Sequence, residues 1–283
     1  MKAVVSGSHG FLGSHLTKRL ERLGHTWVPI KRELLFKPDQ LTLFFQKEKP
    51  DWIVHLATAG NYSEGDDRNT IISANIIGIY NMLNSSLELP YKAFINFSSS
   101  SVLLERETFY SASKASAERL CKAFSQEYDK PIMSIRPATV IGVGEQERHL
   151  IPQLIESCIE GKEIPFVASP THDFIDVSDV VSAVLTIFGK PKNGGKVFEA
   201  GNGFSISNNE VLRVVEDSTG KRAKLRIVDS LRRYDNEDWK VNSTLLLALG
   251  WQPLLSLEES VRLMVKYYYA KRNTKKRSKQ RMV

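Results

Sequence analysis

A chain of 283 residues, 42% hydrophobic and 25% charged, is long enough to bury a full core and has the balance of an ordinary globular domain. Two cysteines, Cys121 and Cys158, exclude a disulfide framework and favour a reducing compartment, and no apolar run approaches the roughly 20 residues of a bilayer span. The net charge of +7 is local: Lys271, Arg272, Lys275, Lys276, Arg277, Lys279 and Arg281 supply seven positive charges with no acid after Ala270, so the body is near neutral. Residues 270–283 therefore read as a polar, disordered tail that could contact an anionic partner such as nucleic acid, lipid or an acidic protein. With a strand predicted to begin at Lys2, neither a signal nor a transit peptide is expected, and a cytoplasmic protein is.

Strand-like and helix-like segments alternate from the first residue. Residues 2–6 predict a strand, Phe11 to Leu23 a helix stopped by Gly24, and Thr26–Ile30 a second strand. Leu41–Lys47 predicts a helix, Trp52–Leu56 a strand, Ile72–Leu87 a helix and Ala93–Phe97 a strand. Tyr110–Tyr128 predicts a helix and Pro131–Ile135 a strand, after which the alternation loosens. The pattern predicts an α/β fold, a doubly wound parallel sheet of the Rossmann type with a smaller C-terminal lobe. The dinucleotide-binding part should span 1–137, with part of 173–200 returning to it, and the substrate lobe mainly 138–269.

Gly7-Ser8-His9-Gly10-Phe11-Leu12-Gly13 has GxxGxxG spacing between a strand and a helix. Such glycines permit the tight turn, let the backbone approach pyrophosphate and pack helix on strand, while free helix amides face the phosphates. Gly7, His9, Gly10, Phe11, Leu12 and Gly13 are therefore candidate cofactor contacts. The end of the second strand carries an acid in an NAD enzyme, bonded to the ribose 2′-hydroxyl. Here Lys31 and Arg32 stand in that place, cations that attract a 2′-phosphate, so NADP is favoured with NAD as the alternative.

Tyr110-Ser111-Ala112-Ser113-Lys114 puts a phenol and an ammonium on one helical face. The ammonium should bring the phenol, whose pKa is ordinarily near 10, into a useful range. Ser98 to Ser101 end the preceding strand at the carboxyl edge, where open α/β sheets bind ligands.

With these pieces the chain resembles an extended short-chain dehydrogenase/reductase of the NAD(P)-dependent epimerase/dehydratase family, from Lys2 to about Lys266. Also matching are His55-Leu56-Ala57, Asn75-Ile76-Ile77-Gly78, Arg136-Pro137, Asp173 to Val180 (an RDFIxVxDV-like segment) and Leu249-Gly250-Trp251-Gln252-Pro253 (an LGWxP-like one). The resemblance implies Tyr110 as the acid-base group, Lys114 as the residue holding the nicotinamide ribose, and Ser99, three before Val102, as the catalytic serine. It places Leu56, Ala57, Thr58, Asn75 and Pro137 against the cofactor and Ser100, Thr139, His149 and Arg233 against the substrate. No metal ligands are implied, and a homodimer through the helices about Ile72–Leu87 and Tyr110–Tyr128 is.

Departures from the family pattern narrow the chemistry. Ser100-Ser101 replaces the Asp-Glu of 4,6-dehydratases, and Ser101 stands where the combined epimerase-reductases carry a cysteine. His149 then fits better as part of the start of a helix. Only ten residues separate Ser99 from Tyr110, shorter than usual, and His172 replaces a common Arg. Arg233 lies in a stretch similar to 4-keto-6-deoxyhexose reductases; a salt bridge to Asp235 or Glu237 is its alternative role. The expected function is an NADPH-dependent reductase of a nucleotide-linked 4-keto sugar. An NAD-dependent 4-epimerase remains open, as does a non-catalytic cofactor sensor or nucleic-acid binder of the same fold.

Overall fold

Strand β1, Lys2–Ser6, has an apolar centre, Ala3-Val4-Val5, buried on both sides. Successive side chains of a strand point to opposite faces: Ala3 and Val5 enter one core, Val4 another. The computed structural model describes residues 1–60, 67–229 and 240–280 of the chain.

After β1 come α1 Phe11–Arg22, β2 Thr26–Ile30, α2 Pro38–Glu48, β3 Trp52–His55, α3 Arg68–Ile72, α4 Gly78–Ser85, β4 Ala93–Phe97, α5 Phe109–Tyr128 and β5 Ile132–Pro137. Then follow β6 Thr139–Ile141, α6 Leu150–Glu160, β7 Glu163–Phe166, β8 Thr171–His172, β9 Phe174–Asp176, α7 Val177–Phe188, β10 Val197–Ala200, β11 Ile206–Ser207, α8 Asn208–Thr219, β12 Lys224–Ile227, α9 Thr244–Leu247 and α10 Leu257–Gln280. Six strands form one parallel sheet in the order β10-β5-β4-β3-β1-β2. The chain grows outward from β1 to β2, then returns to the other side of β1 as β3. The carboxyl ends of β1 and β3 therefore flank the switch point, where such sheets open a crevice.

Helices α1 and α7 pack together on one face, over Val5, Val54, Ile95 and Ile135. Helices α2, α4 and α5 cover the other, over Val4, Ile53, Phe94 and Ile132. Between residues 173 and 200 the chain returns to the sheet: α7 covers it and β10 extends its edge beside β5. A separate core built on Ile155, Phe166, Val211 and Val261 joins α6, β7, α8 and α10 into the smaller lobe.

Two family-like segments fasten these parts together. Asp179 accepts from Leu255 N at 3.1 Å through Oδ2, and its carbonyl accepts from Trp251 Nε1 at 3.1 Å. Asp173 accepts from the amides of Asn202 and Gly203. Arg136 donates twice to Glu118 on α5, at 2.6 and 2.7 Å, and once to Glu199 on β10 at 3.0 Å. Its motif is thus a structural clamp across the sheet edge.

Two elements differ from expectation. The helix expected over 72–87 begins at Arg68, capped by Asp67, and carries a π-turn over Ser73–Ile77 before α4. The segment from 270 onward, expected to be disordered, is helical to Gln280. Lys and Arg are good helix formers, and cations suit a helix C-terminus, so a helix anchored in the lobe core by Val261, Met264 and Val265 continues through them. Lys271 pairs with Glu147 at 2.8 Å and Arg272 donates to the carbonyl of Ile159.

Candidate active site

The glycine turn leaves β1 at Gly7 with φ +69°, a conformation that L side chains resist. Space is as restrictive as conformation: a Cβ on Gly7 would stand 2.8 Å from Ala57 N, and one on Gly13 only 2.2 Å from Gly7 O. Helix α1 has no side-chain cap and no acid in its first turn. Its unsatisfied amides line the cleft with Gly7, His9, Gly10, Phe11, Leu12 and Gly13. This cradle, which a Cβ would fill, suits a dinucleotide diphosphate. Gly13→Ala must move either the turn or the helix. We expect binding of the nicotinamide cofactor to weaken at least 10-fold, with a lower melting temperature, checked by fluorescence titration and thermal melting.

Beneath the turn, Ser6 Oγ shares a 2.8 Å hydrogen bond with His55 Nδ1 and accepts from the amides of Leu56 and Ala57 at 3.2 Å. His55 is buried, and desolvation, with Lys114 second, pushes its pKa down to about 3. The neutral ring and Ser6 hold the Leu56-Ala57 backbone against the glycine turn.

Helix α5 places Tyr110 and Lys114. Thr108 and Ser111 cap it reciprocally, which fixes the first turn carrying the phenol. Lys114 is buried and donates from Nζ to Phe97 O, at the end of β4, at 2.7 Å. Nζ stands 5.8 Å from the centre of the Tyr110 ring. Burial pushes the Lys114 pKa down to about 8, against the pull of Glu118. It pushes the Tyr110 phenol up to about 12, opposed by hydrogen bonds with Ser99 and Thr58. The expected lowering of the phenol is therefore corrected: desolvation of the buried ring is the largest cause, and the net shift is upward. In this arrangement Tyr110 is held protonated, ready to donate.

Ser99 Oγ accepts from Ser101 N at 3.1 Å. Ser98 and Ser101 line the cleft, and their hydroxyls are buried with no partner among the described residues. The cleft measures about 1280 Å³ and also takes in Ser100, Leu56, Ala57, Thr58, Pro137, Thr139 and His149. Lys31 and Arg32, both exposed, line it where β2 ends.

Asn75 does not line the cleft. It is buried at the π-turn, where Nδ2 donates to Ala59 O and Ser113 Oγ while Oδ1 accepts from Ala59 N and Thr58 Oγ1. Its contact with a cofactor would be indirect, through the Thr58-Ala59 segment that it pins. Arg233 and the neighbouring Asp235 and Glu237 lie outside the described residues. His149 precedes α6, and its Nδ1 sits 2.9 Å from Glu145 Oε1. Glu145, whose buried carboxyl is pushed above its ordinary range by desolvation, escaped the sequence reading. The acid four residues before His149 was its available signal. Among the described residues no group of three or more His, Cys, Asp or Glu could hold a metal ion.

The model of the NAD dependent epimerase/dehydratase family matches residues 3–201. The chain is 25% identical over 308 residues to an uncharacterized UDP-glucose epimerase, YtcB of Bacillus subtilis, covering 94% of this chain and 98% of that one. It is 27% identical over 287 residues to CDP-abequose synthase of Salmonella muenchen, covering 93% and 97%. A crystal structure of UDP-glucose 4-epimerase from Thermotoga maritima with UDP-glucose superposes with a TM-score of 0.84 at 23% identity, covering 96% and 99%.

Proposed function

The chain belongs to the NAD dependent epimerase/dehydratase family, an NAD(P)-dependent enzyme of the extended short-chain dehydrogenase/reductase type, and from that premise we propose that it is an NADPH-dependent reductase of a nucleotide-linked 4-keto sugar. The observation that carries the reading is the Lys31-Arg32 pair lining the cleft at the end of β2, where an acid would select NAD. The glycine turn and the α1 amides would hold the diphosphate, and Lys114 the nicotinamide ribose. When bound, the reduced nicotinamide supplies a hydride to the ketone carbon.

The protein's own part is proton donation and charge control. Tyr110, protonated at neutral pH, donates its proton to the ketone oxygen as the carbinol forms, and Ser99 steadies that oxygen with its hydroxyl. Lys114, cationic below about pH 8, stabilises the phenolate that remains. Ser100-Ser101 supplies neither acid nor base for eliminating water, which leaves reduction as the simpler chemistry. An intact Tyr110, Lys114 and Ser99 set argues against a purely cofactor-sensing role.

This assignment has a pH consequence. Tyr110 keeps its proton until about pH 12, while Lys114 loses its charge above about pH 8. We expect kcat/KM for reduction to be level through neutrality and to fall as pH rises through about 8. Lys114→Arg should move the alkaline limb upward by more than one unit; a limb unmoved in that variant would assign it to another group.

A 4-epimerase is the second reading, favoured by the relationship to YtcB, and it would use the same three residues with retained NAD. Extracting nucleotide from the purified protein separates the two. The reductase reading expects little bound NAD and reversible binding of added NADPH; stoichiometric NAD in the extract contradicts it. We also propose self-association through α4 and α5. Ile77, just before α4, is exposed with Tyr80 and Tyr128, and Tyr80 and Phe124 pack edge to face between the two helices. Sedimentation at micromolar concentration should show a dimer, and a monomer alone would contradict it.

A further inference from the structure

Helix α10 changes character along its length. Leu257, Val261, Met264 and Val265 are buried in the core of the smaller lobe, whereas Leu263 and Tyr267 are exposed. From Lys271 onward seven of thirteen residues are cationic and none is acidic. Leu263 and Tyr267 are four residues apart and so share one side of the helix, one turn before the basic stretch begins. The Lys271–Glu147 pair and the Arg272 bond to Ile159 O tie the start of the basic stretch to the lobe. Among the described residues no helix is long and apolar enough to cross a membrane.

We propose that α10 docks the protein on an anionic lipid surface, with its basic end on the headgroups and Leu263 and Tyr267 at the interface. Neither signal suffices alone, but a polybasic stretch next to exposed apolar and aromatic residues combines the two that hold a helix in the interfacial plane. The neutral body adds no repulsion. A nucleic-acid backbone would satisfy the cations but give no use to the exposed Leu263 and Tyr267, so lipid accounts for both features of the helix. Each basic residue near such a surface strengthens binding about five-fold, and the gain fades with salt.

The test uses the full-length chain and vesicles of phosphatidylcholine, with or without about 30% phosphatidylserine. The protein should sediment with the anionic vesicles at about 50 mM salt, be released at about 500 mM, and ignore neutral vesicles. The variant K275Q/K276Q/R277Q/K279Q should bind at least about 100-fold more weakly with an unchanged melting temperature. Leu263→Ser should weaken binding while leaving its salt dependence in place. Equal sedimentation with neutral vesicles, no sedimentation with anionic ones at low salt, or unaltered binding by the Gln variant would overturn the proposal. Retention of a DNA duplex without vesicle binding would overturn it in favour of nucleic acid.

Discussion

Changing Tyr110 to Phe lowers kcat for ketone reduction by about 10²- to 10⁴-fold while NADPH binding survives. The substitution removes one hydroxyl and leaves the ring where the Thr108–Ser111 cap holds it. What is lost is the proton that burial keeps on the phenol far above neutral pH. Water is a poor substitute, because it is not held by Ser99 and Thr58 at the place where alkoxide charge develops. The hydrogen bonds lost with the hydroxyl cost about 1 kcal/mol each, so the variant should still fold. Steady-state turnover together with a fluorescence titration of NADPH separates chemistry from binding. Near-normal turnover in the variant would remove Tyr110 from the mechanism.

The second large effect concerns cofactor choice. Lys31 and Arg32 follow the buried Ile30 at the end of β2 and line the cleft while remaining exposed. A 2′-phosphate carries nearly two negative charges and accepts charge-assisted hydrogen bonds worth about 1.5–3 kcal/mol each at best. Exposure and salt screen such contacts, which brings the net preference for NADPH over NADH to about 10- to 1,000-fold. Lys31→Asp removes a cation and adds an anion, so it should erode or reverse that ratio. Stability should change by less than about 0.5 kcal/mol, because the site is an exposed loop. The ratio of kcat/KM for the two cofactors in both proteins measures the effect. Preference for NADH in the unmodified protein would mean that the pair serves only the solvent.

What was legible in the sequence was local. The glycine turn is defined by seven consecutive residues, and Tyr110 and Lys114 by one helical turn, so their spacing places them without tertiary knowledge. The strand boundaries followed from apolar runs of the sort buried on both faces. What was not legible depended on packing. Asn75 is turned from the cleft by a π-turn, which leaves no mark in hydrophobic periodicity. The direction of the Tyr110 shift depends on how far burial strips water from the ring, which tertiary packing decides. Glu145 acquires its altered carboxyl only once the lobe buries it. The basic C-terminal segment looked disordered by composition, but composition does not reveal that a helix already nucleated in the lobe runs into it.

The most direct test of the proposed activity is net consumption of NADPH. Purified protein is mixed with NADPH and a panel of nucleotide-linked 4-keto sugars, and the nicotinamide absorbance is followed. The reductase assignment predicts loss of one NADPH per sugar reduced with at least one member of the panel, and a rate that collapses in Tyr110→Phe. Interconversion of 4-epimeric nucleotide sugars on tightly bound NAD, with no net NADPH oxidation by any 4-keto sugar, would contradict it.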